Sequence, residues 1–379
     1  MRLFAFRGTR YHPSNGDPGR LAAPPFDQID DELAARLRQE PHHFAHLTRP
    51  DPNAGDPHER ATETQRRWLE EGILIEEKEP ALYLYETHLA TGGTRLGLCG
   101  LLGLHGSKVR PHERTVAKTV DERLDLLRKI RTDLEPIFLL TNDDGELDRE
   151  LESDHEEARW LASWRDGFGH MHSIAKIDEE ERIEEYKELL DGLTGLIADG
   201  HHRFKVASLY ADEIGAESGT APATKLVVLV SLGSPYLSID PIHRAVRERP
   251  DLDAFRRYVV AEVPWSGQTG SGLALAVATA RQPAVALWES SGDPVICTLD
   301  RERILQQADG PVPDLPVTLF HALSDEMGWS DEADSDGTIV YRSDPDKLFR
   351  EMVKREFATS FWLPPMSAEG FSKALATVD

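Results

Sequence analysis

Residues 195–210, GLIADGHHRFKVASLY, leave the backbone few choices. Leu196, Ile197 and Ala198 make a short apolar run suited to a buried strand, Asp199-Gly200 interrupts it, and Phe204, Ala207 and Leu209 begin a helical spacing. A strand, a tight polar turn and a helix start are expected, with Asp199, Gly200, His201, His202 and Arg203 in the turn. A helix start leaves backbone N–H groups without acceptors and carries the positive end of the helix dipole. Arg203 adds a planar fork of donors that suits phosphate oxygens, so the segment reads as an anion site. The plainer reading is a hydrogen-bonded turn in which Arg203 pairs with a nearby acid.

At 379 residues the chain exceeds the size at which one core usually stops growing, so two domains or one elaborated domain are expected. Hydrophobic residues, 40% of the total, are spread along its length, which argues for a folded chain. No apolar run approaches the roughly 18 residues of a membrane helix, and MRLFAFRGTRYHP lacks the apolar centre of a secretory signal. A cytoplasmic protein with no membrane partner is therefore expected. Cys99 and Cys297 stand far apart without metal-binding spacing and read as reduced packing residues. The formal net charge of −24 repels polyanions and disfavours nucleic acid as a partner. The sequence leaves the oligomeric state open.

Positive charge gathers locally in residues 105–130, where Lys108, Arg110, Arg114, Lys118 and Arg123 surround one carboxylate, Glu113. Such a cluster can hold a polyphosphate while the carboxylate does acid–base work; the alternative is a solvated helix start with Glu113 salt-bridged. Thr119 and Glu122 have capping-box spacing for a helix whose apolar face holds Leu124, Leu127 and Ile130. A hairpin is expected from strands 81–88 and 94–104, with further strands over 135–141 and 225–232. Helices are expected over 153–164, with Trp160 and Trp164 on one face, and over 178–190 and 251–261. GQTGSG at 267–272 lacks the Lys-Ser/Thr of a phosphate loop and reads as a plain loop. Asp27 reads as an N-cap or turn residue before a helix over 31–38, and His42, His43 and His46 as loop residues rather than metal ligands. His243-Arg244 repeats the His-Arg pairing, so Arg244 is either a second anion contact or an ordinary surface residue.

RPHERT at 110–115, a helix, a strand and then DGHHR at 199–203 resemble the ParB/sulfiredoxin-like fold and, within it, the free serine kinases. The resemblance implies an α+β chain: a ParB/sulfiredoxin-like nucleotide-binding mixed core over 101–250, elaborated by an N-terminal segment, 1–100, and a C-terminal α/β segment, 251–379. It implies that Glu113 is the general base and that residues 199–203 hold nucleotide phosphates; Glu113 and His202 are the expected catalytic residues. Sulfiredoxins carry a nucleophilic cysteine in the corresponding turn; residues 200–203 contain none, which excludes thiol repair. Chromosome-partitioning relatives bind CTP and clamp DNA, which the acidity of this chain disfavours.

Over nearly its whole length the chain also resembles a bacterial and archaeal family labelled domain of unknown function 1015. The marks are APPFD at 23–27, His112-Glu113 with Thr115, ADGHHRF at 198–204 and the later His243-Arg244. That family usually ends in a PPKST-like segment. Here Met366 follows Pro364-Pro365 in place of the lysine, and Lys373 is a candidate replacement.

The expectation is a phosphotransferase that moves the terminal phosphoryl group of ATP or ADP to the hydroxyl of a small amino acid, free L-serine first, giving O-phosphoserine. Such transfer needs positioning, charge neutralisation and one base. Asp199 is the expected Mg2+ contact, since magnesium prefers oxygen ligands, and Lys108, Arg110 and Arg244 are expected secondary charge partners. The rival is a nucleotide-binding regulatory protein that uses the same residues and converts nucleotide slowly or not at all. A hydrolase with histidine-bound metal lacks a second ligand cluster.

Overall fold

Alternating and β-branched segments supply the strands, and helices form where apolar residues recur at helical spacing. The computed structural model describes residues 1–379 except 54, 91, 112–114, 116, 168, 238–240, 308–315, 329–337, 367–369 and 371–379. The fold is mixed α+β, and the chain divides into two units, Met1–Pro111 with Thr119–Leu237 and His112–Lys118 with Ser238–Asp379.

In the first unit β1 (Leu3–Phe4) and β2 (Thr9–Tyr11) precede the helices α1 (Asp31–Leu37), α2 (Ala45–Thr48) and α3 (Pro57–Glu70). Then come β3 (Leu74–Glu76), the hairpin β4 (Leu82–His88) and β5 (Thr94–Gly103), and β6 (Lys108–Arg110). After α4 (Ala117–Ile130) follow β7 (Ile137–Thr141), α5 (Glu146–Glu156), β8 (Arg159–Arg165) and β9 (Met171–Ile177). The unit closes with α6 (Glu180–Leu190), β10 (Thr194–Asp199), α7 (His201–Glu213) and β11 (Thr224–Ser231). The main sheet has the order β6-β10-β7-β11-β5-β4-β9-β8, with β1 beside β5. β10 runs parallel to β6 and β11 parallel to β7, while the other neighbours are antiparallel.

One sheet face is the core. Leu84, Leu98, Leu139 and Leu229 pack there against Leu147 and Leu151 of α5 and Ile183, Tyr186 and Leu190 of α6. Full burial of each such side chain contributes about 1.5–3 kcal/mol. Neighbouring residues along each strand point to the other face. There Leu101 and Leu226, paired across β5 and β11, line a cavity walled by α4 and α7, which pack together through Val120, Leu124 and Val206.

The second unit runs β12 (His243–Val246), α8 (Leu252–Arg256), β13 (Val259–Pro264), α9 (Gly270–Thr279), β14 (Ala284–Glu289) and β15 (Val295–Leu299). It continues with α10 (Arg301–Gln307), α11 (Pro316–Glu326), β16 (Ile339–Arg342), α12 (Pro345–Val353) and β17 (Thr359–Trp362). Its antiparallel sheet has the order β13-β15-β14-β17-β12-β16.

Several local expectations change. The helix expected over 153–164 ends at Glu156, and Trp160 and Trp164 lie on β8. Nor do they share a face: the register shift between Trp160 and Ala162 makes Leu161 an extra residue, so Trp160 pairs with core-facing Ala175 and Trp164 with His172 on the other side of the sheet. Thr119 lies inside α4 rather than capping it, and Glu122 accepts from Arg123 Nη2 at 2.9 Å. The cap of α1 is Asp30, whose carboxylate accepts from Leu33 N–H at 2.8 Å, while Asp27 sits in the preceding 3-10 turn, Phe26–Gln28. The helix expected over 251–261 stops at Arg256, where β-branched Val259 and Val260 begin β13. Gly270, expected in a loop, opens α9 under a Thr269 cap.

His243-Arg244 is not a surface pair. Arg244 is buried, with its guanidinium carbon 5.7 Å from the Phe320 ring and 5.5 Å from that of Tyr341. His243 is buried too: Nδ1 accepts from Leu363 N–H at 3.2 Å and the ring lies 4.8 Å from Trp362. Burial, reinforced by the Arg244 charge, pushes the pKa of His243 down to about 4. Because the folded value lies below the unfolded one, the stability carried by neutral His243 is complete above the unfolded pKa of about 6.5 and is lost as the pH falls towards 4. Between about pH 7.5 and about pH 5 that loss amounts to roughly 2 kcal/mol. In thermal unfolding, His243→Asn, which keeps an acceptor near the Nδ1 position, should lose less stability on acidification than the wild type. Equal losses would remove His243 as the titrating group.

Candidate functional site

The end of β10 is irregular. Ile197 pairs with Leu139, but Asp199 pairs with Phe138, so Ala198 is an extra residue in the ladder. In regular register Asp199 would come level with Ile137, which is fully buried in the core. The bulge turns it instead to the opposite face, beside half-buried Phe138. Gly200 then adopts φ 94°, and a Cβ there would stand 2.8 Å from Ile137 Cγ2, so glycine is required on both counts.

The expected polar turn thereby contracts to Gly200, and His201, His202 and Arg203 are the first three residues of α7. Phe204 N–H donates to the Gly200 carbonyl at 2.9 Å. The N–H groups of residues 201–203 thus lie outside the helix's own ladder, and the first turn of α7 carries no acidic residue.

Arg203 is buried. Its Nη2 donates to the Asp199 carboxylate and its Nη1 to the Pro136 carbonyl, which ties the start of α7 to the end of β10 and the approach to β7. The pairing read from sequence as the plain alternative is therefore present. Asp27, taken from sequence as a cap or turn residue, bears electrostatically on both Arg203 and Asp199. One flank of Asp27 is exposed, yet enough protein surrounds the carboxyl to raise its pKa by lost hydration, with Arg203 opposing and Asp199 adding to the rise. His201 is buried and His202 half-buried. The pKa of His202 is lowered, first by burial and then by Arg203, with Asp199 opposing, so near neutral pH it offers hydrogen bonds rather than charge.

Phe138 brings in a residue that sequence reasoning missed. Arg95 lies on the same sheet face, and its guanidinium carbon stands 5.1 Å from the Phe138 ring centroid. Its signal was a lone charge in the otherwise apolar strand TRLGLCGLLG. Farther along this face Tyr85 donates its hydroxyl to His172 Nδ1 at 2.8 Å, and His172 Nε2 donates to Asp166 at 3.1 Å. The His172 ring stacks with Tyr85 and with Trp164, at centroid distances of 5.8 and 5.4 Å.

The other candidates fall as follows. Arg110 pairs with Leu196 and Lys108 with Thr194, which puts Lys108 at the far end of β10, roughly 16 Å along the strand from Asp199. Because β6 and β10 are parallel, both leave the sheet at the edge where Asp199 lies. Glu113 and Lys373 fall outside the described residues, Met366 is half-buried, and Arg244 belongs to the second unit. Among the described residues no group of three or more His, Cys, Asp or Glu gathers as a metal site. His43 Nδ1 accepts from Ala45 N–H, and His46 meets the Glu40 carbonyl. Burial pushes the thiols of Cys99 and Cys297 up to about 12, as suits packing residues.

Gly200→Ala should cost about 1–3 kcal/mol in chemical denaturation, from the left-handed backbone and the contact with Ile137. A variant as stable as the wild type would contradict the geometry of this turn.

No helix among the described residues is long and apolar enough to cross a membrane. No curated protein matches the sequence. Solved structures with a distant likeness include a conserved hypothetical protein from Pyrococcus furiosus, 13% identical with a TM-score of 0.37 over 73% of this chain and 83% of that one. Another is a mutant free serine kinase in complex with AMP, 14% identical with a TM-score of 0.36 over 73% of this chain and 80% of that one. The family pattern described as "Protein of unknown function (DUF1015)" matches residues 3–290, and the chain belongs to that family.

Proposed function

We propose that this protein is a phosphotransferase moving the terminal phosphoryl group of ATP or ADP to the hydroxyl of a small amino acid, free L-serine giving O-phosphoserine. The observation that carries the reading is the start of α7: backbone donors of residues 201–203 and neutral His202 gathered beside a strand end that a bulge has turned out of the core. Donors fixed in this way suit phosphate oxygens, because transfer depends on positioning and charge neutralisation more than on covalent help from the protein. The order of the RPHERT and DGHHR motifs supports the same reading.

In this reading Glu113 accepts the proton of the acceptor hydroxyl as its oxygen bonds to the terminal phosphorus and the bond from that phosphorus to the bridging oxygen of the leaving nucleotide breaks. Arg203 acts by holding Asp199 and the helix start in place. Arg95, on the face shared with Asp199, supplies a cation for phosphate or for the acceptor's carboxylate. Asp199 and Asp27 offer the oxygen ligands that Mg2+ takes alongside nucleotide phosphates, and the ion would neutralise charge on those phosphates.

Phosphorus NMR of the protein with Mg2+, ATP or ADP and a pool of hydroxyl amino acids tests the assignment. A new phosphomonoester should appear with one acceptor and be lost in Glu113→Gln while nucleotide binding persists. Turnover retained in that variant removes Glu113 as the base. Nucleotide binding with slow conversion whatever the acceptor identifies a regulatory nucleotide-binding protein instead. Arg95→Met should raise the KM of nucleotide or acceptor by roughly tenfold or more, the scale of a charge-assisted hydrogen bond; unchanged constants for both exclude its role.

A further inference from the structure

On the sheet face covered by α4 and α7, the first unit holds a cavity of about 980 Å3. That is the size of pockets that bury a small organic ligand. Its floor is the middle of the main sheet. On the core face of β5 and β11, Leu102 and Val227 are fully buried. Their neighbours Leu101 and Leu226, opposite each other in register on the cavity side, are only half-buried. Helices that cover a sheet ordinarily close its centre. Here α4 and α7 pack against each other and leave these two leucines uncovered. Leu127 and Ile130 of α4 and Val206 and Ala207 of α7 continue the hydrocarbon wall.

The ionic side chains in the wall already have counterparts in the protein. The Lys225 ammonium donates to the Asp133 carboxylate and, at 2.6 Å, to the Glu135 carbonyl, and Asp133 also accepts from Leu226 N–H. Arg7 donates to Glu76 at 2.7 Å. Arg123 gives Nη1 to the Thr48 carbonyl and Nη2 to Glu122, while Arg203 gives Nη1 to Pro136 and Nη2 to Asp199. The Glu135 carboxylate meets the charges of both arginines and accepts from Phe26 N–H at 2.9 Å. Among the described residues Arg131 is the one wall cation without such a partner, and it is exposed to solvent. A carboxylate or ammonium entering the cavity would therefore give up its hydration without gaining a counter-charge. Water is a poor occupant as well, because a buried water needs several polar partners and the ionic groups here are engaged with one another.

We propose that this cavity binds a neutral, mostly hydrocarbon small molecule, which covers Leu101 and Leu226 between α4 and α7. The driving force is the apolar surface removed from water, so affinity follows the hydrocarbon length of the ligand, and a charge of either sign weakens binding.

Displacement of the neutral fluorophore N-phenyl-1-naphthylamine from the full chain tests this with butan-1-ol, hexan-1-ol and octan-1-ol against octanoate and octylammonium. Affinity in the alcohol series should rise about three- to fourfold for each added methylene. Octanoate and octylammonium should bind at least about tenfold more weakly than octan-1-ol. Nuclear Overhauser contacts from octan-1-ol to the methyl groups of Leu101, Leu226 and Val206 should place the ligand in the unaltered protein. Leu226→Asn should weaken octan-1-ol at least about tenfold, and the Overhauser contacts keep the test open if that variant fails to fold. No binding of the alcohols, no gain with chain length, a charged ligand that binds as tightly as octan-1-ol, or Overhauser contacts confined to other residues would overturn the proposal. So would full affinity in folded Leu226→Asn. No step uses nucleotide, so the result stands apart from that of the phosphotransfer assay.

Discussion

The bond between Arg203 and Asp199, completed by the Pro136 carbonyl, is the contact on which the site depends. Ion pairs of this kind add little net stability, because desolvation offsets the Coulomb attraction. Their effect here is geometric. One guanidinium joins the first turn of α7, the end of β10 and the residue before β7, and so fixes the direction in which the donors of residues 201–203 point. The pair is also lopsided: Asp199 keeps 54% of its side-chain surface exposed, whereas Arg203 keeps 8%. Removing Arg203 leaves a carboxylate that water can solvate, while removing Asp199 leaves a cation inside the protein.

The bulge at Ala198 works with that bond. A one-residue insertion is what separates a buried, core-facing Asp199 from one on the face of Phe138 and Arg95. Bulges are a recurrent means of re-aiming a side chain beside a functional site. Gly200 completes the device, since the backbone must pass into the helix through a conformation and a space that a side chain does not tolerate.

Much of this was legible in the sequence, and what was not has identifiable causes. The strand, break and helix of residues 195–210, the β4–β5 hairpin and the buried β7 and β11 follow from hydrophobic spacing, which is the strongest local signal. The bulge leaves no such trace, because pairing register is set by the neighbouring strand. Trp160 and Trp164 were misread because nothing in their spacing marks the extra residue at Leu161 that sends them to opposite faces of β8, and β9, with a lysine and a histidine among its residues, was overlooked. Asp27 was read as a cap or a turn residue; it lies within the 3-10 turn Phe26–Gln28, and Asp30, three residues later, caps α1. Arg95 reaches Phe138 across an intervening strand, a contact that local sequence cannot express.

The account rests on the start of α7 being an anion site in an otherwise acidic chain. Its most direct test is nitrogen–proton NMR of the protein titrated with ADP and ATP in the presence of Mg2+, with the backbone amides of residues 201–203 and the His202 imidazole assigned. Those amides and that ring should shift saturably with nucleotide, with inorganic phosphate moving the same amides more weakly. Nucleotide that binds while these signals stay still, or that does not bind at all, would contradict it.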